Sequence, residues 1–524
     1  MISHCPSHRS TLGSAPLILI TIDCLRADHV GFMGYRRPIT PTLDGVAQQA
    51  LWFRRALVAG LPTFNSFPAL LAGRYALGLG RDLVGLAPEE DTLASVLRAH
   101  GYRTSALVAG NPYLSRWMGY HQGFDDFDDF LDNASRQASS QAHSNHGAGW
   151  FPRLNRALLR FAERHKVLSQ IYHELYFWYG LRQVARRNNH RYADLLVRFP
   201  RAETITDRAI EHLQRAEHRQ QPFFMWLHYM DAHRPYFPSA SALAALGRQD
   251  LTPQRMFALW NRWLRRDLSA QQLARYVVDF VDLYDASIAT IDAQLARLFD
   301  FIKQSPRLQH ALVAVTSDHG EVFLERGERD HDPVLVTQEL VHVPLLLFSP
   351  ASTLRGEVNA PFSLIDLAPT LLDGLGVNAP ASFVGKSRWH QLRPGESWDD
   401  PAVTDIAFGY TENPKGQTMP ITERLMAVQD DRYKLVFNFH SGQLNLFDLK
   451  QDPREKSAME ARAVPQVSAA LLARLRAHLV QHREQRYSKA EVLLRSHVTR
   501  ERLNVAMPTG MGESGGQFSS NGRT

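Results

Sequence analysis

Short, uninterrupted apolar runs alternate along this chain with longer stretches of helical periodicity. Pro16–Asp23, Thr104–Gly110, Phe223–Tyr229, Ala311–Asp318 and Val343–Phe348 have the length and the β-branched or aromatic content of buried strands. Thr42–Ala50, Thr92–His100, Glu203–Ala216, Ala274–Gln304 and Ser363–Gly374 space their apolar residues three and four apart, as helices do. A strand that is apolar at every position must be covered on both faces, and the intervening helices supply that cover. The expected fold is therefore α/β, a doubly wound and mostly parallel sheet. Near the C-terminus the pattern changes. Arg424–Gln429, Tyr433–Asn438 and Leu444–Leu449 read as three short strands joined by DDR and HSGQ turns, with a helix following at about Val467–His482. The expected organisation is a main α/β domain over 1–385, a small antiparallel α+β subdomain over 386–485, and a tail over 486–524 that is disordered after about 507. A helical insertion is expected at about 134–200, opening on the Ser/Ala/His-rich stretch 134–149.

Composition narrows the function classes. No apolar run approaches the roughly 18–20 residues of a membrane-spanning helix. The apolar run from Pro16 to Ile22 ends in an acid and reads as a strand rather than a secretory signal. Two cysteines in 524 residues exclude a disulfide scaffold and a cysteine-based zinc module, so cytoplasmic residence is expected. The net charge of +6 is local: between Gly147 and Pro200 ten Lys/Arg face three acids, and the rest of the chain is close to neutral. That distribution, with no nucleic-acid motif beside it, excludes a general nucleic-acid surface. The same segment carries Tyr172, Tyr176, Phe177, Trp178 and Tyr179. It reads as a helical lid, its charge offset by the run Asp125, Asp126, Asp128, Asp129 and Asp132. The other reading is a basic amphipathic surface for an anionic membrane.

In α/β sheets, ligands sit beyond the carboxyl ends of the strands. The first strand ends in Asp23. The third runs into His228-Tyr229-Met230-Asp231-Ala232-His233. The fourth ends in Asp318-His319-Gly320-Glu321, with His331 following. One acid or histidine at a strand end is commonly a cap; Asp, His and Asp-His at three strand ends are a ligand set. Carboxylate plus imidazole suits a divalent cation such as Zn²⁺, Mn²⁺, Mg²⁺ or Ca²⁺.

These motifs resemble the sulfatase family of the alkaline-phosphatase superfamily. LILITIDCLRADHVGFMGY is similar to its opening strand and first metal-binding Asp, and FFMWLHYMDAHRPYFP to its histidine-bearing central motif. TSDHGEVFLERGERDHD followed by ELVHVPLLLFSP is similar to the second metal-binding motif. SLIDLAPTLLDGLG and DDRYKLVFN…LNLFDLKQDPRE follow in the family's order, so the resemblance covers about Pro16 to Ala458. It implies that Asp23, Asp318 and His319 hold a divalent cation. It implies that His233 and His331 bind the transferred anionic group, protonate a leaving group, or hold a second metal. His228 is expected to be structural or to support a ligand, and Asp231 and Glu321 either orient the histidines or stand as solvated carboxylates.

The resemblance also locates a nucleophile. The family's nucleophile opens the helix that ends in Leu-Leu-x-Gly-Arg, here Leu70-Leu71-Ala72-Gly73-Arg74. Eleven residues before Arg74 stands Thr63, within Thr63-Phe64-Asn65-Ser66-Phe67, where sulfatases carry Cys-x-Pro-x-Arg and oxidise the Cys to formylglycine. Without Cys, Pro or Arg that oxidation is not expected, and Cys5-Pro6-Ser7-His8-Arg9 precedes the first strand and has its Pro misplaced. A metal-bound Thr hydroxyl is still a usable nucleophile, and a helix N-terminus favours the anion it attacks. The plain alternative is that Thr63 only caps its helix. Cys24 stands where many sulfatases have a second metal-binding Asp. A thiol is a poor Ca²⁺ ligand, so Zn²⁺ or Mn²⁺ is favoured over Ca²⁺, and Cys24 itself reads as a buried small residue.

The implied function is a metal-dependent hydrolase of sulfate or phosphate esters, with Thr63, His233 and His331 catalytic. His233, His331 and Asn65 are the expected contacts to an anionic ester substrate. The Thr leaves open a phosphoryl or phosphoethanolamine-type transferase, and a catalytically inactive metal-binding homologue.

Overall fold

Eight strands build the central sheet: β1 (Leu17–Ile22), β2 (Leu51–Phe53), β3 (Arg103–Val108), β4 (Asp126–Asp128), β5 (Phe223–Tyr229), β6 (Leu312–Ser317), β7 (Leu345–Phe348) and β8 (Gly356–Val358). They come from a computed structural model that describes residues 12–76, 85–131, 199–217, 220–264, 269–331, 335–352, 354–393, 396, 398, 400–408 and 423–481. The expected insertion, all but Phe199 and Pro200 of its basic segment, the expected disordered tail and Cys5 lie outside the described residues.

The strand order is β8-β2-β7-β6-β1-β5-β3-β4. Neighbours are parallel except at β7, which runs antiparallel to both β6 and β2. The sheet is thus mostly parallel, but the strand expected at Val343–Phe348 is reversed. The reason is its connection. A parallel neighbour needs a crossover that returns the chain to the opposite edge, whereas the described residues between β6 and β7 form a two-stranded ribbon (Val322–Phe323 with Arg329–Asp330), the short helix Gln338–Val341 and the short strand His342–Val343. The chain leaves β6, builds a loop at the carboxyl edge and returns from that same edge.

Strand alternation divides the core. Leu17 and Leu19 of β1 face one apolar cluster with Phe224 and Trp226 of β5 and Leu312 and Ala314 of β6. Ile18, Ile20 and Ile22 face the other, with Met225, Leu227, Val313 and Val315. Helix α1 (Thr63–Ala72) covers the first face through Phe67, Leu70 and Leu71. Helices α2 (Ala202–Glu217) and α3 (Val277–Gln304) cover the second. In α3 the residues Leu283, Tyr284, Ile288, Ile291, Leu295, Leu298 and Ile302 keep the spacing of one buried stripe. This helix is shorter than expected, because Ala270–Ala274 forms a separate turn capped by Ser269.

The C-terminal sheet has four antiparallel strands, β9 (Ala402–Phe408), β10 (Glu423–Gln429), β11 (Tyr433–Asn438) and β12 (Leu444–Asp448), followed by helix α4 (Pro465–Gln481). Three strands were expected. Strand β9 stands 14 residues before β10 in the sequence, so no hairpin signal marks it. It also ties the two sheets together. Asp405 N–H donates to the Ala59 carbonyl at 2.9 Å and the Thr404 hydroxyl to the Val58 carbonyl at 2.6 Å. Val403, Met426, Val428, Leu471 and Leu475 pack with Ala59, Ala69 and Tyr75, which flank or belong to α1. The C-terminal sheet therefore braces the helix that begins at Thr63.

Asp405 is the polar key of that brace. Its buried carboxylate accepts from Arg424 Nε at 3.0 Å and Nη2 at 2.6 Å, and pairs with His478 Nε2 of α4 at 3.0 Å. Burial alone would raise its pKa; His478 and Arg424 outweigh it and hold Asp405 at about 2. A depressed carboxylate contributes stability above its unfolded pKa and loses it as pH falls. Asp405→Ala removes the buried partner of Arg424 and His478 and is expected to cost about 3 kcal/mol. Thermal melts between pH 7 and pH 2 should show this loss, and the variant should lack the parent's decline between about pH 4 and its folded pKa of about 2.

Candidate active site

The register of the central strands sets the site. Ile22 pairs with Tyr229 on one side and with Ser317 on the other, so β1, β5 and β6 end level. Their next residues, Asp23, Met230 and Asp318, emerge at one edge. Donor atoms of Asp23, Asp318 and His319 lie within 4.8 Å of one another, although 295 residues separate Asp23 from Asp318. All three side chains are buried.

Each ligand candidate is oriented by neighbours. Asp318 Oδ1 accepts from the backbone N–H of Cys24 at 3.2 Å and of His319 at 3.0 Å. His319 Nδ1 bonds the Gly320 carbonyl at 2.8 Å, which fixes the proton on Nδ1 and turns Nε2 to the site. Nε2 is then 3.4 Å from Asp318 Oδ2 and 3.3 Å from the Thr63 hydroxyl. Gly320 allows the tight passage, since a Cβ there would collide with the Glu339 carbonyl. Thr63 is buried at the first position of α1, directly after the N-cap Pro62. Asn65, the expected substrate contact, donates from Nδ2 to the Leu61 carbonyl at 2.8 Å, so its amide braces the turn before Thr63.

The three remaining histidines differ in their anchors. His228 Nδ1 shares a bond with the Thr21 hydroxyl at 2.9 Å, and its Nε2 is 3.3 Å from Asp23 Oδ2. His233 Nδ1 bonds the Arg234 carbonyl, and its ring centroid is 5.1 Å from that of His331. His331 Nδ1 lies 3.3 Å from Glu321 Oε1, while Tyr236 donates to Glu321 Oε2 at 3.1 Å. Glu321 thus backs a histidine. Asp231 does not: its Oδ1 accepts from the first N–H of α2, Ala202, at 3.2 Å. Of the acidic run once paired with the lid, Asp125 and Asp126 form ion pairs with Arg98 and Arg103.

Two site residues escaped the sequence reading. Asn111 follows β3, donates from Nδ2 to Asp23 Oδ2 at 3.0 Å and accepts from Tyr113 N–H at 3.0 Å. Its signal was positional, since it is the residue directly after the strand expected at Thr104–Gly110. Arg26 is buried and pairs with Asp28 and Glu325 while donating to the Glu321 carbonyl at 2.9 Å. Nothing in its spacing distinguishes it from a surface arginine.

Sequence and structure comparisons agree with this arrangement. The pattern of the family described as Sulfatase matches residues 16–377, and that described as N-sulphoglucosamine sulphohydrolase, C-terminal, matches 327–485. The chain belongs to the sulfatase family of hydrolases. The arylsulfatase of Clostridium perfringens is 24% identical over 463 residues, covering 84% of this chain and 89% of that protein. The multifunctional alkaline phosphatase superfamily protein PehA of Trinickia caryophylli is 23% identical over 488 residues, covering 84% and 90%. The phosphonate monoester hydrolase of Agrobacterium radiobacter aligns with a TM-score of 0.61 at 18% identity, over 90% of this chain and 96% of that one. The putative sulfatase yidJ of Bacteroides fragilis aligns at 0.64 and 17%, over 91% and 97%. These structural likenesses establish the fold. No helix among the described residues is long and apolar enough to cross a membrane.

The electrostatics of this sulfatase-family site fit a cation. Burial alone would raise the Asp23 pKa; His233, His228 and His319 outweigh it and hold Asp23 below the usual carboxylate range. Burial and the Asp23 charge push Asp318 up to about 6. Burial, with the Asp330 carboxylate beside it, pushes Glu321 up to about 7. Burial, with His331 opposite, drops His233 to about 4, and burial with His319 drops His331 to about 3. Asp318 Oδ2 and His228 Nε2 are buried without a hydrogen-bond partner. A buried cluster of carboxylate oxygens and imidazole nitrogens, with one carboxylate resisting its charge and His233 and His331 kept neutral by burial, is a donor set that could hold a divalent cation. Asp318→Asn should weaken binding of Zn²⁺ or Mn²⁺ by at least the roughly 10–100-fold that loss of a supporting partner costs. Elemental analysis after dialysis reads the loss, and an unchanged circular dichroism spectrum shows that the sheet persists.

Proposed function

We propose that this chain is a metal-dependent hydrolase of sulfate or phosphate esters in which the Thr63 hydroxyl is the nucleophile. The observation that carries the reading is the place of that hydroxyl, buried at the start of α1 and 3.3 Å from His319 Nε2. Asp23, Asp318 and His319 are the residues that would hold the cation. When bound, it would lower the pKa of a hydroxyl beside it and neutralise charge on the ester oxygens.

The protein's residues supply the rest. Thr63 stands at the N-terminus of α1, whose free N–H groups favour a tetrahedral anion. Attack by Oγ1 on sulfur or phosphorus forms a covalent ester and expels the alcohol in line. His233 and His331, turned inward by the Arg234 carbonyl and Glu321, would bind the transferred group's oxygens and carry the proton to the leaving oxygen. Asn111 would keep Asp23 oriented, and Asn65 would hold the turn that presents Thr63. Phosphorus is favoured over sulfur, because Thr lacks the second hydroxyl of a formylglycine hydrate and its ester must be opened by displacement. The same feature supports a second reading, transfer of the group to an acceptor alcohol in place of water. The proposed division keeps catalysis in 1–385 and assigns 386–485 to bracing α1, in the cytoplasm, with 147–200 meeting the substrate or an anionic membrane.

Thr63→Ala should leave folding and metal content near parental and lower turnover by several orders of magnitude, whereas Thr63→Ser should keep part of it. A panel of aryl sulfates, phosphate monoesters and phosphodiesters reads this, with and without an acceptor alcohol. Intact mass should show an unmodified Thr63. An alanine variant as active as the parent would move the nucleophile to water, and a parent inactive on the whole panel would support the inactive homologue.

A further inference from the structure

His233 and His331 come to the site on different loops, His233 on the one after β5 and His331 at the end of the ribbon that follows β6. Strands β5 and β6 are not neighbours in the sheet, because β1 stands between them. Strand pairing between those two therefore does not set the distance between the two rings. Their centroids are nevertheless 5.1 Å apart.

The residues beside the two histidines are joined. Arg234, directly after His233, forms an ion pair through Nη1 with Oδ2 of Asp330, directly before His331. The other oxygen, Asp330 Oδ1, accepts from Trp263 Nε1 at 2.7 Å. Trp263 is itself fixed. It is buried in the helix Pro253–Leu264, and its ring centroid lies 4.2 Å from that of Phe280 on α3. Its carbonyl accepts from Arg329 Nη1, which ties the strand Arg329–Asp330 to the same helix. Asp330 has a φ of 72°, a left-handed backbone that a residue with a Cβ adopts at a cost. Such a conformation persists where the surroundings over-determine it. Here a buried carboxylate with a donor on each oxygen does so. The chain turns at this point so that Asp330 reaches Trp263 and Arg234, while the His331 ring meets those of His233 and His319.

We propose that Asp330 is a positioning residue for the reaction: its clasp with Arg234 sets the distance between His233 and His331, and so the aim of the histidine that protonates the leaving oxygen. The inference rests on the catalytic reading of these two histidines above and adds the contact that holds them together. Proton transfer to the leaving oxygen matters most where that oxygen is basic, since a weakly acidic alcohol departs poorly as its anion. A loosened clasp therefore harms esters of weakly acidic alcohols first, whereas partial loss of folding harms all esters alike.

The test uses the full chain with Zn²⁺ or Mn²⁺ in the buffer and two matched pairs of substrates, 4-nitrophenyl and phenyl phosphate and the corresponding sulfates. Within a pair only the acidity of the leaving phenol differs. Asp330→Asn keeps the size of the side chain and an oxygen for Trp263 while removing the charge. It should lower kcat/KM on the phenyl ester at least about tenfold more than on the 4-nitrophenyl ester, with circular dichroism and metal content at the parental level. Arg234→Gln should show the same selective loss, and the double variant should lose no more than the worse single one, because both changes remove one contact. A loss equal on both esters, or no loss, overturns the clasp, and His331→Ala then decides the reading beneath it. If His331→Ala loses the phenyl ester selectively, the catalytic histidine stands without the clasp; if it does not, that reading falls too. If Asp330→Asn does not fold, Arg234→Gln decides by the same comparison. A parent that hydrolyses none of the four esters overturns both readings.

Discussion

The level ending of three adjacent parallel strands is the constraint on which the site depends. Backbone hydrogen bonds lock Ile22 opposite Tyr229 and Ser317. A slip of one residue in β1 would carry Asp23 away from Asp318 and also turn Ile18, Ile20 and Ile22 from one core to the other. The same apolar alternation that stabilises the sheet therefore enforces the meeting of residues nearly 300 positions apart. Site geometry and core packing are specified by one set of contacts, and neither can drift without the other.

What that register assembles is electrostatically costly. Asp23 and Asp318 are buried together, and Glu321 is buried close by. Five histidine or arginine groups, His228, His233, His319, His331 and Arg234, compensate only in part, since burial suppresses the charge of His233 and His331. Asp318 accordingly resists ionisation while Asp23 retains its charge. The surrounding architecture holds the cluster in place despite this tension. Tyr284 and Arg26 fix the loop after β1, Asn111 holds Asp23, and Glu321 and Tyr236 stand behind His331. A site strained in this way gains stability when a cation binds, by mass action on the folded state.

The C-terminal sheet contributes rigidity at the other side of the site. Helix α1 is buried along almost its whole length, between the central sheet and the packing of β9, β10 and α4. Its first residue is therefore held from two directions. The loop between β6 and β7 receives similar support. Lys434 of β11 is fully buried, pairs with Glu455 at 2.6 Å and donates to the Val336 carbonyl, and Glu455 accepts from Gln338 N–H at 2.8 Å. Both the segment that presents Thr63 and the one that follows His331 are thus clamped by the smaller sheet.

Local pattern determined the elements themselves. Continuous apolar runs and 3.6-residue periodicity suffice to recognise β1, β3, β5, β6, α2 and α3, because burial on two faces leaves no polar positions and helix packing leaves a stripe. The acids and histidines at strand ends were legible for the same reason, since a polar residue directly after such a run must sit at the sheet's edge. Tertiary structure alone decided the rest. The reversal of β7 depends on the absence of a crossover, and β9 on a partner far along the chain. Asp231 caps α2 rather than serving a histidine, and Asn111 reaches Asp23, because side-chain direction follows from packing between elements and not from spacing within them. The surroundings of Cys24 belong to the same class. The sequence alone reads it as a small buried residue, and only the convergence of three strand ends places carboxylate and imidazole around its sulfur.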